Sequence, residues 1–136
     1  MINSRLSVAI HILSLLASHP RDRLTSEYIA GSVQTNPVVI RRLTGMLRKA
    51  GIVTSSPGTA GAVLTKAPEE ITLLDVYDAV FAGEDLFSIH DKPNPDCRVG
   101  RNIQDTLDTH FERAEQAMKN ELARQTLADT MEHLFT

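Results

Sequence analysis

Asn36-Pro37-Val38-Val39-Ile40-Arg41-Arg42-Leu43-Thr44-Gly45-Met46-Leu47-Arg48-Lys49-Ala50-Gly51 holds a start signal, two opposed faces and a stop signal in one run. Asn36 suits an N-cap, because its side-chain oxygen can accept from a backbone N–H two or three residues on. Pro37 then falls at the first helical position, where its missing N–H costs nothing and its fixed φ is already helical. Ile40, Leu43, Leu47 and Ala50 recur every three or four residues and predict one inward stripe. Arg41, Arg42, Thr44, Arg48 and Lys49 are left on or beside the outer face. Gly51 stands where the residue after a helix adopts a left-handed conformation. The segment reads as a helix capped at both ends, apolar on one side and cationic on the other.

Downstream, Ile52-Val53-Thr54-Ser55 reads as a short strand and Pro57-Gly58-Thr59-Ala60-Gly61 as a turn. Ala62-Val63-Leu64-Thr65 reads as the returning strand. Upstream, Thr25 or Ser26 caps a short helix that turns Ile29, Ala30 and Val33 inward, with Glu27 near its positive end. Before that, Leu6, Ala9, Ile10, Leu13 and Leu16 share a helical stripe, widened by Val8, Ile12 and Leu15. His19-Pro20 ends this helix, since the residue before a proline avoids the helical region. Helix, short helix, tight turn, basic helix and hairpin, in that order, predict a winged helix-turn-helix. The expected fold class is mostly α with a small β-hairpin wing.

The second half carries two capping-box patterns, Thr72-x-x-Asp75 and Thr126-x-x-Asp129, each before an apolar run. Between Ala82 and Gly100 the residues Gly83, Pro93, Asn94, Pro95 and Gly100 exclude one continuous helix. Beyond it, Ile103, Leu107, Phe111, Ala114, Met118 and Leu122 predict a helix of roughly 30 Å, longer than so small a domain needs to cover its own core. Such a helix commonly meets a second copy of itself, the alternative being that it packs back on its own domain. The organisation expected is a winged helix-turn-helix over 1–81, a sensor-type loop over 82–100, and a dimerisation helix with a C-terminal helix over 101–136.

The 136 residues suit one core. The net charge of −3 conceals a division. Residues 1–66 hold eight Lys/Arg against two Asp/Glu, a balance of +6, and residues 67–136 hold six against fifteen, a balance of −9. A basic half beside an acidic one suits a double-stranded DNA partner, though charge segregation alone does not require it. No apolar run approaches the roughly 20 residues that span a bilayer, so no membrane partner is expected. With no recognisable leader and a single cysteine, Cys97, a reducing cytoplasmic setting is expected and an intramolecular disulfide is impossible.

In a helix-turn-helix the second helix enters the major groove, its first residues toward the base edges. Thr35, Asn36, Pro37 and Val38 occupy that start. Arg41, in the second turn, is the best candidate for bidentate reading of guanine O6 and N7, and Arg42, Arg48 and Lys49 extend the cationic face. Thr25 and Ser26 are candidates for phosphate contact at the preceding helix start. Ser55, Ser56, Gly58 and Thr59 of the hairpin allow close backbone approach to a groove wall. Taken singly, each has a structural reading: Thr35 and Asn36 as caps, Arg48 and Lys49 as complements to a helix C-terminus. Their order along the chain favours DNA.

Asn36-Pro37-Val38-Val39-Ile40-Arg41-Arg42-Leu43, then Leu47-Arg48-Lys49-Ala50-Gly51-Ile52-Val53, then the glycine-bearing hairpin, then Pro68-Glu69-Glu70-Ile71-Thr72-Leu73-Leu74-Asp75-Val76 resemble the Rrf2 family of bacterial regulators. The resemblance runs from about Leu6 to Val80. It implies a homodimer whose long helix crosses to the partner, with two wings straddling an operator. The chain departs from the family pattern twice. Members often carry an arginine leading into a Gly-Pro-Gly-Gly-Gly wing, and here Ser56-Pro57-Gly58-Thr59-Ala60-Gly61-Ala62 stands in its place. Many members hold an iron–sulfur cluster on three cysteines in the loop before the long helix. A cluster needs about four ligands, mostly thiolates, so Cys97 with His90 nearby implies no cofactor.

The expected activity is therefore that of a regulator, with repression of an inverted-repeat operator the leading form. Cys97 is the sensor candidate. It lies near Arg98 and Arg101 at a helix start, features that favour thiolate, while Asp96 opposes them. An inert loop cysteine and a small-molecule effector in the loop both stay open. The rival class is a helical interaction module on the same fold that binds no DNA. Catalysis is not expected: His11, His19, His90, His110 and His133 are scattered, and no HExxH, P-loop, Gly-x-Ser-x-Gly or Gly-x-Gly-x-x-Gly pattern occurs.

Overall fold

The computed structural model describes residues 4–136. Its elements are α1 (Arg5–Ser18), α2 (Ser26–Val33), α3 (Pro37–Lys49), β1 (Val53–Ser56), β2 (Thr59–Leu64), a 3-10 turn (Pro68–Glu70), α4 (Leu73–Phe81), α5 (Arg98–Ala123) and α6 (Leu127–Leu134). The caps fall where the sequence predicts them. Thr25 Oγ1 accepts from Tyr28 N (3.2 Å), and Asn36 Oδ1 accepts from Val38 N (2.8 Å). Gly51 takes a φ of 81° after α3.

α1 is the centre of the core. Ala9, Ile12 and Leu13 are fully shielded, and α2 to α4, β2 and α6 pack around them. Ile29, Ile40, Leu43, Leu47, Ile71, Val76, Val80 and Leu127 complete the cluster. Each such side chain contributes about 1.5–3 kcal/mol by leaving water.

α6 returns to this core after the long excursion of α5. Leu73 N donates to Gln125 O and Leu127 N to Ile71 O, both at 2.8 Å, and Thr72 faces Thr126 in an isolated antiparallel bridge. Both capping boxes close. Thr72 and Asp75 exchange two bonds of 3.0 Å, and Thr126 and Asp129 exchange bonds of 2.9 and 3.1 Å. The starts of α4 and α6 therefore form one hydrogen-bonded clasp.

Three details differ from the periodicity reading. Thr44 is buried, because the hairpin folds over the flank of α3 that carries it. Ala50 is exposed, because it caps α3 and sits beyond the last turn that packs on α1. The hairpin turn is tighter than expected. Pro57-Gly58 alone reverses the chain, Gly58 at a φ of 75°, so β2 begins at Thr59 rather than Ala62. A register shift between Thr54 and Ser56 absorbs the mismatch.

α5 is different in kind. It has 26 residues, about 39 Å at 1.5 Å per residue, and none is buried. Ile103, Leu107, Phe111, Met118 and Leu122 are half-buried and Ala114 is exposed. α4 lies against it, and Phe87 from the preceding loop stacks on Phe111 with ring centroids 4.8 Å apart. Burial raises the Tyr77 pKa, and the Glu115 carboxylate of α5 adds to the effect. No helix among the described residues is long and apolar enough to cross a membrane.

Candidate nucleic-acid interface

The start of α2, the flank of α3 and the hairpin enclose an open cleft of about 300 Å³. Its lining brings together Thr25, Ser26, Arg41, Arg48, Ser55, Ser56 and Thr59. Seven residues that the sequence scatters over 35 positions therefore share one surface. The first-turn N–H groups of Ser26 and Glu27 have no intrahelical partner, which makes this rim attractive to an anion.

The cations around the cleft are held differently. Arg48 Nη1 donates to Ser55 Oγ at 3.3 Å, tying α3 to the wing. Arg41 Nη1 donates to Glu27 Oε1 at 3.1 Å, with both side chains more than half exposed. An exposed pair of this kind contributes at most about 1 kcal/mol. It orients Arg41 without sequestering it. Arg42 and Lys49 are exposed and have no hydrogen-bond or ion-pair partner among the described residues. Arg42 belongs to the outward face of α3 rather than to the cleft. Lys49 also lies outside the cleft, toward Asp78 and Glu84.

At the start of α3, Asn36 uses its oxygen as a cap, Thr35 and Pro37 are half-buried, and Val38 is 61% exposed. A large aliphatic side chain left in water at the tip of a cationic helix is suited to apolar contact with a thymine methyl. Gly58 and Thr59 are exposed at the hairpin turn. Thr44 Oγ1, on the cleft floor, is the one buried side-chain polar atom without a partner among the described residues.

Sequence reasoning missed Arg23. This residue lies in the loop before α2, outside any periodic stretch, and its Nη2 donates to Ser56 Oγ on the wing at 3.4 Å. Only the bridge between Leu24 and Ala62 brings it there. Gly61 reads in the sequence only as a turn glycine, yet a Cβ there would meet Arg23 Cβ at 2.7 Å.

Cys97 is exposed and stands at the N-cap position of α5. The N–H groups of Gly100 and then Val99 face its sulfur and lower its pKa, while slight burial opposes them. No group of three or more His, Cys, Asp or Glu among the described residues is placed to hold a metal ion. The dimerisation candidates Ile103, Leu107, Phe111, Ala114, Met118 and Leu122 lie along α5, away from the cleft.

The Rrf2 family model, described as iron-dependent transcriptional regulators, matches residues 2–133. The chain is 55% identical over 135 residues to YwnA of Bacillus subtilis strain 168, named as an HTH-type transcriptional regulator, covering 99% of this chain and 100% of that one. A crystal structure described as a DNA binding protein shares 50% identity at a TM-score of 0.78, over 94% of this chain and 99% of its own. A second, described as a transcriptional regulator from Lactobacillus plantarum, shares 27% identity at a TM-score of 0.82, over 98% and 91%. With a winged helix-turn-helix that sets Arg41 and Arg48 on one cleft, and with a family match over nearly its whole length, the chain belongs to the Rrf2 family of DNA-binding transcriptional regulators.

Proposed function

We propose that this regulator works as a homodimer that binds an inverted-repeat operator, represses by occupying it, and answers a thiol oxidant through Cys97 rather than an iron–sulfur cluster. The observation that carries the dimer is α5. It presents an apolar stripe along 26 residues and buries none of them within its own chain. A second copy laid along that stripe removes it from water. Two recognition helices related by the resulting two-fold axis read half-sites about one helical turn apart, or a multiple.

The family description speaks of iron, but this chain's donors do not fit a cluster. One cysteine, exposed at the start of α5, falls short of about four ligands. We assign Cys97 a different chemistry. Its thiolate, favoured by the Gly100 and Val99 N–H groups, attacks one oxygen of a hydroperoxide. The O–O bond breaks, the sulfur gives up two electrons and becomes a sulfenic acid, and the second oxygen leaves as hydroxide or alkoxide and takes up a proton. The new group sits at one end of α5, where a shift of that helix alters the spacing of the recognition helices.

Genomic fragments selected by the purified protein should contain a repeat with two-fold symmetry, and sedimentation equilibrium should give twice the chain mass. Leu107→Glu should yield a folded monomer whose operator affinity falls by about 10²-fold or more, because the second half-site contact is lost. A wild-type chain that sediments as a monomer at the concentration where it binds DNA overturns the dimer. Peroxide sensitivity of operator binding that survives in Cys97→Ser overturns the thiol assignment.

A further inference from the structure

From Val53 to Leu64 the hairpin has no charged residue, although a wing must lie against a polyanion. The fold brings a cation to it from elsewhere. Leu24 N donates to Ala62 O at 3.4 Å and Ala62 N donates to Leu24 O at 3.1 Å, so the residues before α2 add a short third edge to the hairpin. Arg23 precedes Leu24, and its guanidinium bonds Ser56 Oγ.

The approach is close enough to dictate sequence. Gly61 has a φ of 96°, and a Cβ there would come within 2.7 Å of Arg23 Cβ and 2.8 Å of Arg23 C. A glycine is needed on both counts, the backbone angle and the packing. Arg23 is exposed and pairs with no carboxylate among the described residues, unlike Arg41 with Glu27. Its neighbours Leu24 and Ser56 line the cleft between recognition helix and wing. A guanidinium anchored by one neutral hydroxyl keeps its other donors free for an acceptor of opposite charge.

We infer that Arg23 is the wing's cation, and that it binds a backbone phosphate of the operator where the wing crosses the strand. The inference rests on the DNA-binding reading and names a residue within it. The phosphate is preferred to a base edge because the Ser56 bond holds the guanidinium along the hairpin rather than beyond its turn, where Gly58 and Thr59 lie.

The test is fluorescence anisotropy of the full chain on a selected operator duplex across a salt series. Arg23→Ala should weaken binding by about tenfold for each Arg23 removed, the loss of one charge-assisted hydrogen bond per subunit. It should also flatten the dependence of log K on log salt by about 0.9 for each Arg23 removed. Arg23→Lys should restore most of the salt slope, since a phosphate accepts a point charge. On a duplex trimmed to the base pairs under the recognition helices, the Arg23→Ala deficit should vanish. Unchanged affinity and slope in Arg23→Ala, measured beside an impaired Arg41→Ala, overturn the assignment. A deficit that leaves the slope unchanged, or that Arg23→Lys does not rescue, overturns the phosphate as its ligand. If wild type itself binds no duplex, the DNA reading fails and Arg23 with it. Thermal melts of both variants keep folding separate, because the side chain is exposed.

Discussion

The helix-turn-helix unit and α5 are both amphipathic helical structure, yet they treat their apolar surface in opposite ways. α1, α3 and α4 bury theirs on one another and on α6, so Ile12, Ile40, Val76 and Leu127 show no exposure at all. α5 leaves every residue of its stripe partly exposed and none fully buried. Charge divides along a different line: residues 1–66 balance at +6 and residues 67–136 at −9, while α5 itself holds four Lys/Arg against five Asp/Glu. An apolar core with a cationic skin can fold without help and then bind an anion. The half-buried apolar stripe of α5, on a helix of nearly balanced charge, offers a polyanion no comparable attraction. One chain thus carries two surfaces of different chemistry, and the comparison can be broken at each of them.

The largest effect should come from the core. Leu127→Ala should cost about 2–5 kcal/mol, read from denaturant midpoints, because the side chain is fully buried against neighbours that can relax only in part. Leu107→Ala should instead lower the midpoint by an amount that depends on protein concentration, the mark of a residue whose burial comes from association. Equal, concentration-independent losses in both variants would erase the distinction between the two regions.

Next in size are the cations. Arg41→Ala should cost about 1–3 kcal/mol of operator binding and relax specificity at one base pair per half-site, measured by competition with single-base variants. Lys49→Ala, outside the cleft and toward Asp78 and Glu84, should weaken all sequences alike and flatten the salt slope. An Arg41→Ala variant that loses affinity evenly over all sequences would move Arg41 from base reading to phosphate contact.

The smallest effect belongs to Cys97. Its pKa is lowered by the Gly100 and Val99 N–H groups, so at a given pH below the ordinary thiol range the folded chain holds more thiolate than the unfolded one. The pH midpoint for alkylation by iodoacetamide should therefore lie lower in the native protein than in urea. Coincident midpoints would leave the thiol with no activation from the fold.

Local signals made the recognition helix and the starts of α4 and α6 legible, though not the clasp that joins those starts. Asn36-Pro37, Gly51 and the two Thr-x-x-Asp boxes act over three or four residues, and all close in the structure as chemistry dictates. The inward positions Ile40, Leu43 and Leu47 followed from helical period, whereas Thr44 and Ala50 did not, because their exposure depends on where the wing and the helix end lie. The hairpin was placed correctly but its turn was drawn too long, since Thr59 and Ala60 carry no sign that they pair. The cleft residues Thr25, Arg41, Arg48 and Ser55 were named separately, and only the fold shows them on one surface. Arg23 was not legible, for its position is set by a bridge to Ala62, 38 residues beyond Leu24.

The clasp between the starts of α4 and α6 has a mechanical consequence. It fastens the Ala123 end of α5 to the body through Leu73, Gln125 and Leu127, while the Arg98 end follows a loop. A helix of about 39 Å fastened at one end is a lever for the other: a tilt of about 5° about that end displaces the Arg98 end by roughly 3 Å. Small chemical events at the tip carry the greatest leverage, and substitutions near the fulcrum should stiffen or slacken the transmission without touching either interface.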